Sequence, residues 1–219
     1  MKLLHVYGSM YQMGFAHGAL LKEELNVFMY EIWDYIEAQI EEGLDKIPKF
    51  MRHATANFAA GAALDLTYEI TKPFTNKRYY EEMRGLADAS GIPFHYFRRI
   101  SMIGELTKGS CSMFGAWGKA TLDNKVVQLR ALDWDFDGPY RKYPLVIVYH
   151  PSNPKDGNKW ANIGFMGWLG VISGVNEHRV AVSEIGVSYP DETFGKESRF
   201  GNPFTFVLRD VLQWDKNIE

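Results

Sequence analysis

Residues 108–117, KGSCSMFGAW, hold the only cysteine of the chain and mark a change of pattern. Before this segment the apolar residues recur every three or four positions, the period of helices. After it they come in short Val-, Ile- and aromatic-rich runs divided by Asn, Asp, Gly and Pro, the pattern of strands and turns. A lone cysteine is most often a small buried hydrophobe. Here it opens the first strand of the second half, behind a small Gly109-Ser110 approach.

Upstream, residues 2–7 read as a short strand. Residues 8–42 read as one long amphipathic helix ending near Gly43. Ser9 and Gln12 form a capping box, and Leu21, Leu25, Phe28, Ile32, Ile36 and Ile40 repeat along one side. Residues 48–66 are expected to be helical. In residues 76–94, Tyr79, Met83 and Leu86 share a helical face, and Gly91 and Pro93 end it. Residues 94–106 make one more short helix.

Downstream, CSMFGAWG, KVVQLRALDW, PLVIVYH, KWANIGF, LGVISGV and RVAVSEIGV read as successive strands of an antiparallel sheet. The separators LDN, NPKDGN and NEH are turn chemistry. Helix returns at 202–219, with Phe204, Val207, Leu208, Val211 and Leu212 on one face and no stop signal through Glu219. The fold class is therefore α+β, expected to be incomplete at the C-terminus.

The chain has 219 residues, of which 46% are hydrophobic, which suits one sizeable core. A formal charge of -3 and scattered Lys and Arg argue against nucleic-acid partners. No apolar run approaches the ~18 residues of a membrane span, and that of MKLLHVYGSM is too short to read as a signal peptide. One cysteine allows no internal disulfide. No paired His or Cys spacing suggests a metal, and DWDFDGP lacks the rest of a calcium loop. GAWGKAT fails as a phosphate-binding loop, because Met113 and Ala120 stand where Gly and Ser/Thr are needed. No cofactor is expected.

Two further motifs accompany Cys111. In LRALDWD, Arg130 and Asp133 lie three apart, so they face opposite sides of a strand unless the chain bends at DWDFDGP. In GVISGVNEHRVAVSE, Asn176 sits at the tip of a tight hairpin, where its amide can donate into a site. Taken singly, Arg130–Asp133 reads as a structural ion pair, Asn176 as a turn residue and His17 as a packed helical histidine between Gly14 and Gly18.

Together, GSCSMFGAWG, RALD and GVNEHRVAVSE, preceded by HVYGSMYQMGFAHG and LADASGIP, resemble the cysteine N-terminal-nucleophile hydrolases. That group includes choloylglycine hydrolases, acid ceramidase and the acyl-coenzyme A:isopenicillin N acyltransferase family, of which the last fits the helical front end best. The resemblance implies a four-layer αββα sandwich. It implies self-cleavage between Ser110 and Cys111, giving a helical segment 1–110 and a sheet segment 111–219 that stay associated as one folding unit. Cys111 then becomes an N-terminal nucleophile whose own α-amine, with an ordinary pKa of about 7.7 to 8.0, serves as base. Arg130 positions the thiol or the substrate carbonyl, Asp133 holds the new amine, and Asn176 helps bind the oxyanion. His178 and Arg179 stand where relatives often have a glycine.

The implied activity is amide hydrolysis or acyl transfer on a small-molecule N-acyl substrate, through an acyl-thioester. The resemblance is compatible with a secreted or lysosomal as well as a cytoplasmic location. A Cys–His hydrolase using His150 or His178 is a weaker alternative. A non-catalytic or truncated protein that never matures is the contrasting class.

Overall fold

Ser9 opens the first helix as its spacing to Gln12 predicts. The Gln12 N–H reaches the Ser9 hydroxyl at 3.4 Å, and the Ser9 N–H reaches the Gln12 side chain at 2.9 Å. The computed structural model describes residues 1–106, 110–133, 138–186 and 200–217. The expected long helix is two: α1 (Met10–Leu20) and α2 (Lys22–Glu42). Leu21 leaves helical geometry, at φ -121° and ψ 24°, with its side chain buried. The break has a packing cause: α1 lies on α4 (Lys77–Ser90), while α2 turns its Leu25, Phe28 and Ile32 stripe inward and packs on α3 (Lys49–Thr71).

The α1–α4 contact is backbone on backbone. A Cβ added at Gly14 or Gly18 would overlap the carbonyl oxygen of Glu82 or Leu86, and one at Gly85 would overlap that of Tyr11. Helix α4 ends as its sequence predicts, with Gly91 in the left-handed region at φ 79°. Helix α5 (Phe94–Leu106) follows.

The strands make two sheets rather than one. β1 (Lys2–Gly8), β4 (Pro144–Pro151), β5 (Trp160–Phe165), β6 (Ser173–Asn176) and β7 (Ala181–Ser183) lie side by side in that order. β1 runs parallel to β4, and the other pairs are antiparallel. The parallel edge is possible because a long helical connection separates β1 from β4. β2 (Ser110–Ala116) and β3 (Val127–Asp133) form a separate hairpin, with Cys111 opposite Leu132.

The two faces of the larger sheet differ. Leu145, Ile147 and Tyr149 alternate inward along β4 and join the core with Met10, Met13, Tyr79 and Met83. Helix α6 (Phe204–Trp214) covers the same face: a Cβ at Gly174 would strike Leu212. Ser173, next to Gly174, points the other way and meets Arg130 of the hairpin. The order is helices, five-stranded sheet, hairpin, which makes the chain α+β.

Helix α6 departs from its sequence reading twice. Its buried face is Thr205, Phe206, Arg209, Leu212 and Gln213, while Phe204 and Val207 are exposed. The polar members are buried because Arg209 finds a partner in the core. Its guanidinium pairs with Glu82, donates to the Leu169 carbonyl at 2.9 Å and to Gln213 at 3.1 Å, and lies 4.3 Å from the Tyr79 ring centre. The helix also stops, at Trp214. The Asn158 and Asn176 amides donate to the Leu212 and Asp215 carbonyls, so the cap comes from the sheet and not from a local glycine.

Candidate functional site

Cys111 is the second residue of β2 and is half-buried. In an antiparallel pair, directly opposed residues share a face and alternate residues repeat it. The register therefore puts Cys111, Met113, Arg130 and Leu132 on one face of the hairpin, and Ser112, Phe114, Leu129, Ala131 and Asp133 on the other. The first face looks at the larger sheet. The Cys111 thiol lies 3.5 Å from the Glu184 carboxylate, where it donates to Oε2. Arg130 donates to the Ser173 hydroxyl from Nε at 3.2 Å and from Nη2 at 2.8 Å. Its Nη1 is buried with no partner among the described residues.

The structure thus brings Cys111 and Arg130 to one face of the hairpin, against Glu184 and Ser173. Asp133 stands on the opposite hairpin face, exposed, within 3.5 Å of the Ser112 hydroxyl. Its backbone nevertheless sits directly across from Ser110, beside the peptide bond expected to break. The bend expected at residues 134–137 lies outside the described residues, as does Gly109.

Asn176 is placed elsewhere. It is on the α6 side of the sheet, while Ser173 faces the hairpin. Three residues of strand, about 10 Å, separate the two. Its side chain is fully occupied: the amide nitrogen donates to the Leu212 and Asp215 carbonyls at 3.0 and 2.8 Å. The amide oxygen accepts from the His178 and Val180 N–H groups, both at 3.0 Å. A saturated amide has no donor left for an oxyanion, so Asn176 shapes the hairpin and caps α6.

Neither histidine of the Cys–His alternative reaches the thiol. His150 is stacked on Tyr7 and 3.0 Å from His5, at the β1 edge of the sheet, whereas Cys111 meets the β7 edge. His178 is exposed in the β6–β7 turn, at the end away from Ser173 and Glu184. His17 is packed, as its flanking glycines suggest. It is 1% exposed, its Nε2 accepts from the Gly167 N–H at 3.4 Å, and burial pushes its imidazole down to about 4.

Sequence reading missed Glu184 and Ser173. The signal was present in the tight NEH hairpin. Pairing outward from that turn sets Ser173 against Ser183, so Glu184 and Ser173 fall together at the far end of β6–β7.

Comparison with family models finds no match. Two curated proteins of Dictyostelium discoideum are similar over nearly the whole chain. Protein dcd1B is 37% identical over 221 residues, which are 99% of this chain and 43% of the relative. Protein dcd1A is 38% identical over 227 residues, 99% of this chain and 51% of the relative. The chain spans about half the length of the curated relatives it matches.

Proposed function

We propose that this chain carries the nucleophile of a self-processing cysteine amidase or acyltransferase that acts on small-molecule N-acyl substrates. The observation that carries the reading is the half-buried Cys111 thiol. It is the second residue of a strand and lies 3.5 Å from a carboxylate, on the same hairpin face as an arginine whose buried Nη1 has no partner among the described residues. The helix–sheet–hairpin order also supports the αββα sandwich that the sequence resemblance implies.

Glu184 takes the Cys111 proton as base. The thiolate attacks the Ser110 carbonyl carbon, and Arg130 Nη1 offers a donor to the oxyanion. The Ser110–Cys111 C–N bond breaks, the nitrogen takes up a proton, and Ser110 is left as a thioester on Sγ. Water then hydrolyses the thioester, freeing the Ser110 carboxylate and regenerating the thiol. The new α-amine, on Cys111, is one residue along from the Ser110–Asp133 pair, and in this reading the Asp133 side chain turns to hold it once Ser110 leaves the strand. In turnover the α-amine takes the thiol proton, the thiolate attacks the substrate amide carbonyl, the C–N bond breaks and the leaving amine takes up that proton; water or an acceptor amine then cleaves the thioester and restores the thiol.

Intact mass of the purified protein is the test. Wild type is expected as two pieces meeting at Ser110/Cys111, and Cys111→Ala as one. Cleavage of Cys111→Ala at the same bond would assign the cut to another protease. The non-catalytic reading draws support from the exposed apolar hairpin, where Phe114 is 63% and Leu129 59% exposed. A monomer that neither cleaves nor labels with a thiol-reactive acyl probe would favour it.

A further inference from the structure

Among the described residues two carboxylates are buried, Glu82 and Glu37, at 0% and 5% exposure. A buried carboxylate needs a compensating partner. Glu82 has the guanidinium of Arg209. Glu37 has no lysine or arginine among the described residues. Its oxygens meet the Asn57 amide and, at 3.6 Å, an imidazole of His53 that is 70% exposed. The half-buried Asp65 takes both Arg98 and Arg99, so Glu37 is the exception.

Glu37 faces a cleft of about 530 Å³ between α2, α3 and the turn at 91–93, a volume usual for small-molecule sites. Tyr30, Trp33, Asp34 and Glu37 follow i, i+3, i+4, i+7 spacing on α2, so one helical face supplies two rings and two carboxylates. Tyr96 of α5 adds a third ring, edge-on to Trp33 with centroids 5.5 Å apart. Buried Met29 and Ile92 also line the cleft, adding apolar surface.

We propose that this cleft binds an organic ammonium ion: a primary ammonium on a small apolar or aromatic body. The ring faces attract a cation, the carboxylates accept its N–H donors, and the apolar lining takes the body. A hard metal ion fits poorly, because it needs six or more oxygen ligands and three walls here are aromatic. Trp33 already carries one cation: Arg99 lies 5.3 Å from its ring centre, neutralised by Asp65. The site contains none of the Cys111 residues and is independent of the amidase reading.

The test is calorimetric titration of phenethylammonium chloride into the full chain and into its Cys111→Ala variant, with uncharged 2-phenylethanol as comparison. Saturable 1:1 binding is expected in both proteins, at least tenfold tighter for the cation. Glu37→Gln should weaken it tenfold or more. Asp34→Asn, an exposed change that leaves the core alone, should weaken it severalfold and decides the matter if Glu37→Gln does not fold. Absence of saturation, equal affinity for the alcohol, or unaltered binding in Asp34→Asn together with any folded Glu37→Gln would overturn the proposal.

Discussion

The α1–α4 contact and the β2–β3 hairpin are built by opposite rules. In the first, glycines let two backbones touch, with His17 buried beside them and the Arg209–Glu82 pair buried nearby. In the second, seven residue pairs form a hairpin whose residues 112–117 and 126–129 are mostly exposed, tied to the larger sheet by Arg130–Ser173 and Cys111–Glu184. One face of the sheet therefore holds the buried core and the other carries Cys111. Mutations on the two sides should separate: stability without cleavage on one, cleavage without stability on the other.

The hardest strain on this comparison is Arg209→Ala. Removing one member of a buried pair leaves the other as an uncompensated charge, so a loss of about 3–5 kcal/mol in urea unfolding is expected. A loss below about 1 kcal/mol would mean that Glu82 finds water or a new partner, and that the helical face is not the stable half.

Next comes pH. His17 is held neutral, at about 4 against an ordinary 6.5, by burial. The unfolded chain therefore binds the extra proton between pH 6.5 and 4, and the contribution is present above 6.5 and lost as pH falls through that window. At about 1.4 kcal/mol per unit, roughly 3 kcal/mol disappears by pH 4. Unfolding free energy measured across that range should fall for wild type and fall by less for His17→Gln. Parallel curves would show that another group sets the slope.

Cleavage should respond on the other side. Glu184→Gln keeps the size and removes the proton acceptor, so conversion to the two pieces should slow by on the order of a hundredfold. Urea unfolding of the uncleaved chain should move by less than about 0.5 kcal/mol, as for a surface change. Unaltered cleavage in a folded Glu184→Gln chain would remove Glu184 from the mechanism and leave only a neighbour of the thiol.

What the sequence disclosed follows range. The Ser9–Gln12 box, the Tyr79–Met83–Leu86 face and the Gly91 stop are decided within a few residues, and all three are found. The α6 face was misread because Arg209 is buried by Glu82, 127 positions away. The break at Leu21 has no local breaker and arises from two helices having different partners. Cys111 and Arg130 were legible as neighbours because a short hairpin joins their strands. Glu184 is 73 residues from the thiol and was not. Asn176 looked like a donor because turn position says nothing of which side of the sheet an amide takes.

The smallest effect is expected at Leu129, which faces Phe114 across the hairpin with both side chains in solvent. Leu129→Thr keeps a residue suited to strands and removes apolar surface that the fold does not bury. A cross-strand pair is worth only about 0.2–1 kcal/mol, so unfolding should change by less than about 0.5 kcal/mol. Self-association is the more sensitive readout, because an exposed apolar hairpin with open edges invites pairing between molecules. Size-exclusion elution of wild type should shift to larger species as concentration rises, and that of Leu129→Thr should shift less. If instead Leu129→Thr lost about 2 kcal/mol or more, the hairpin would be part of the core, and the division between the core face and the Cys111 face would fail at its weakest point.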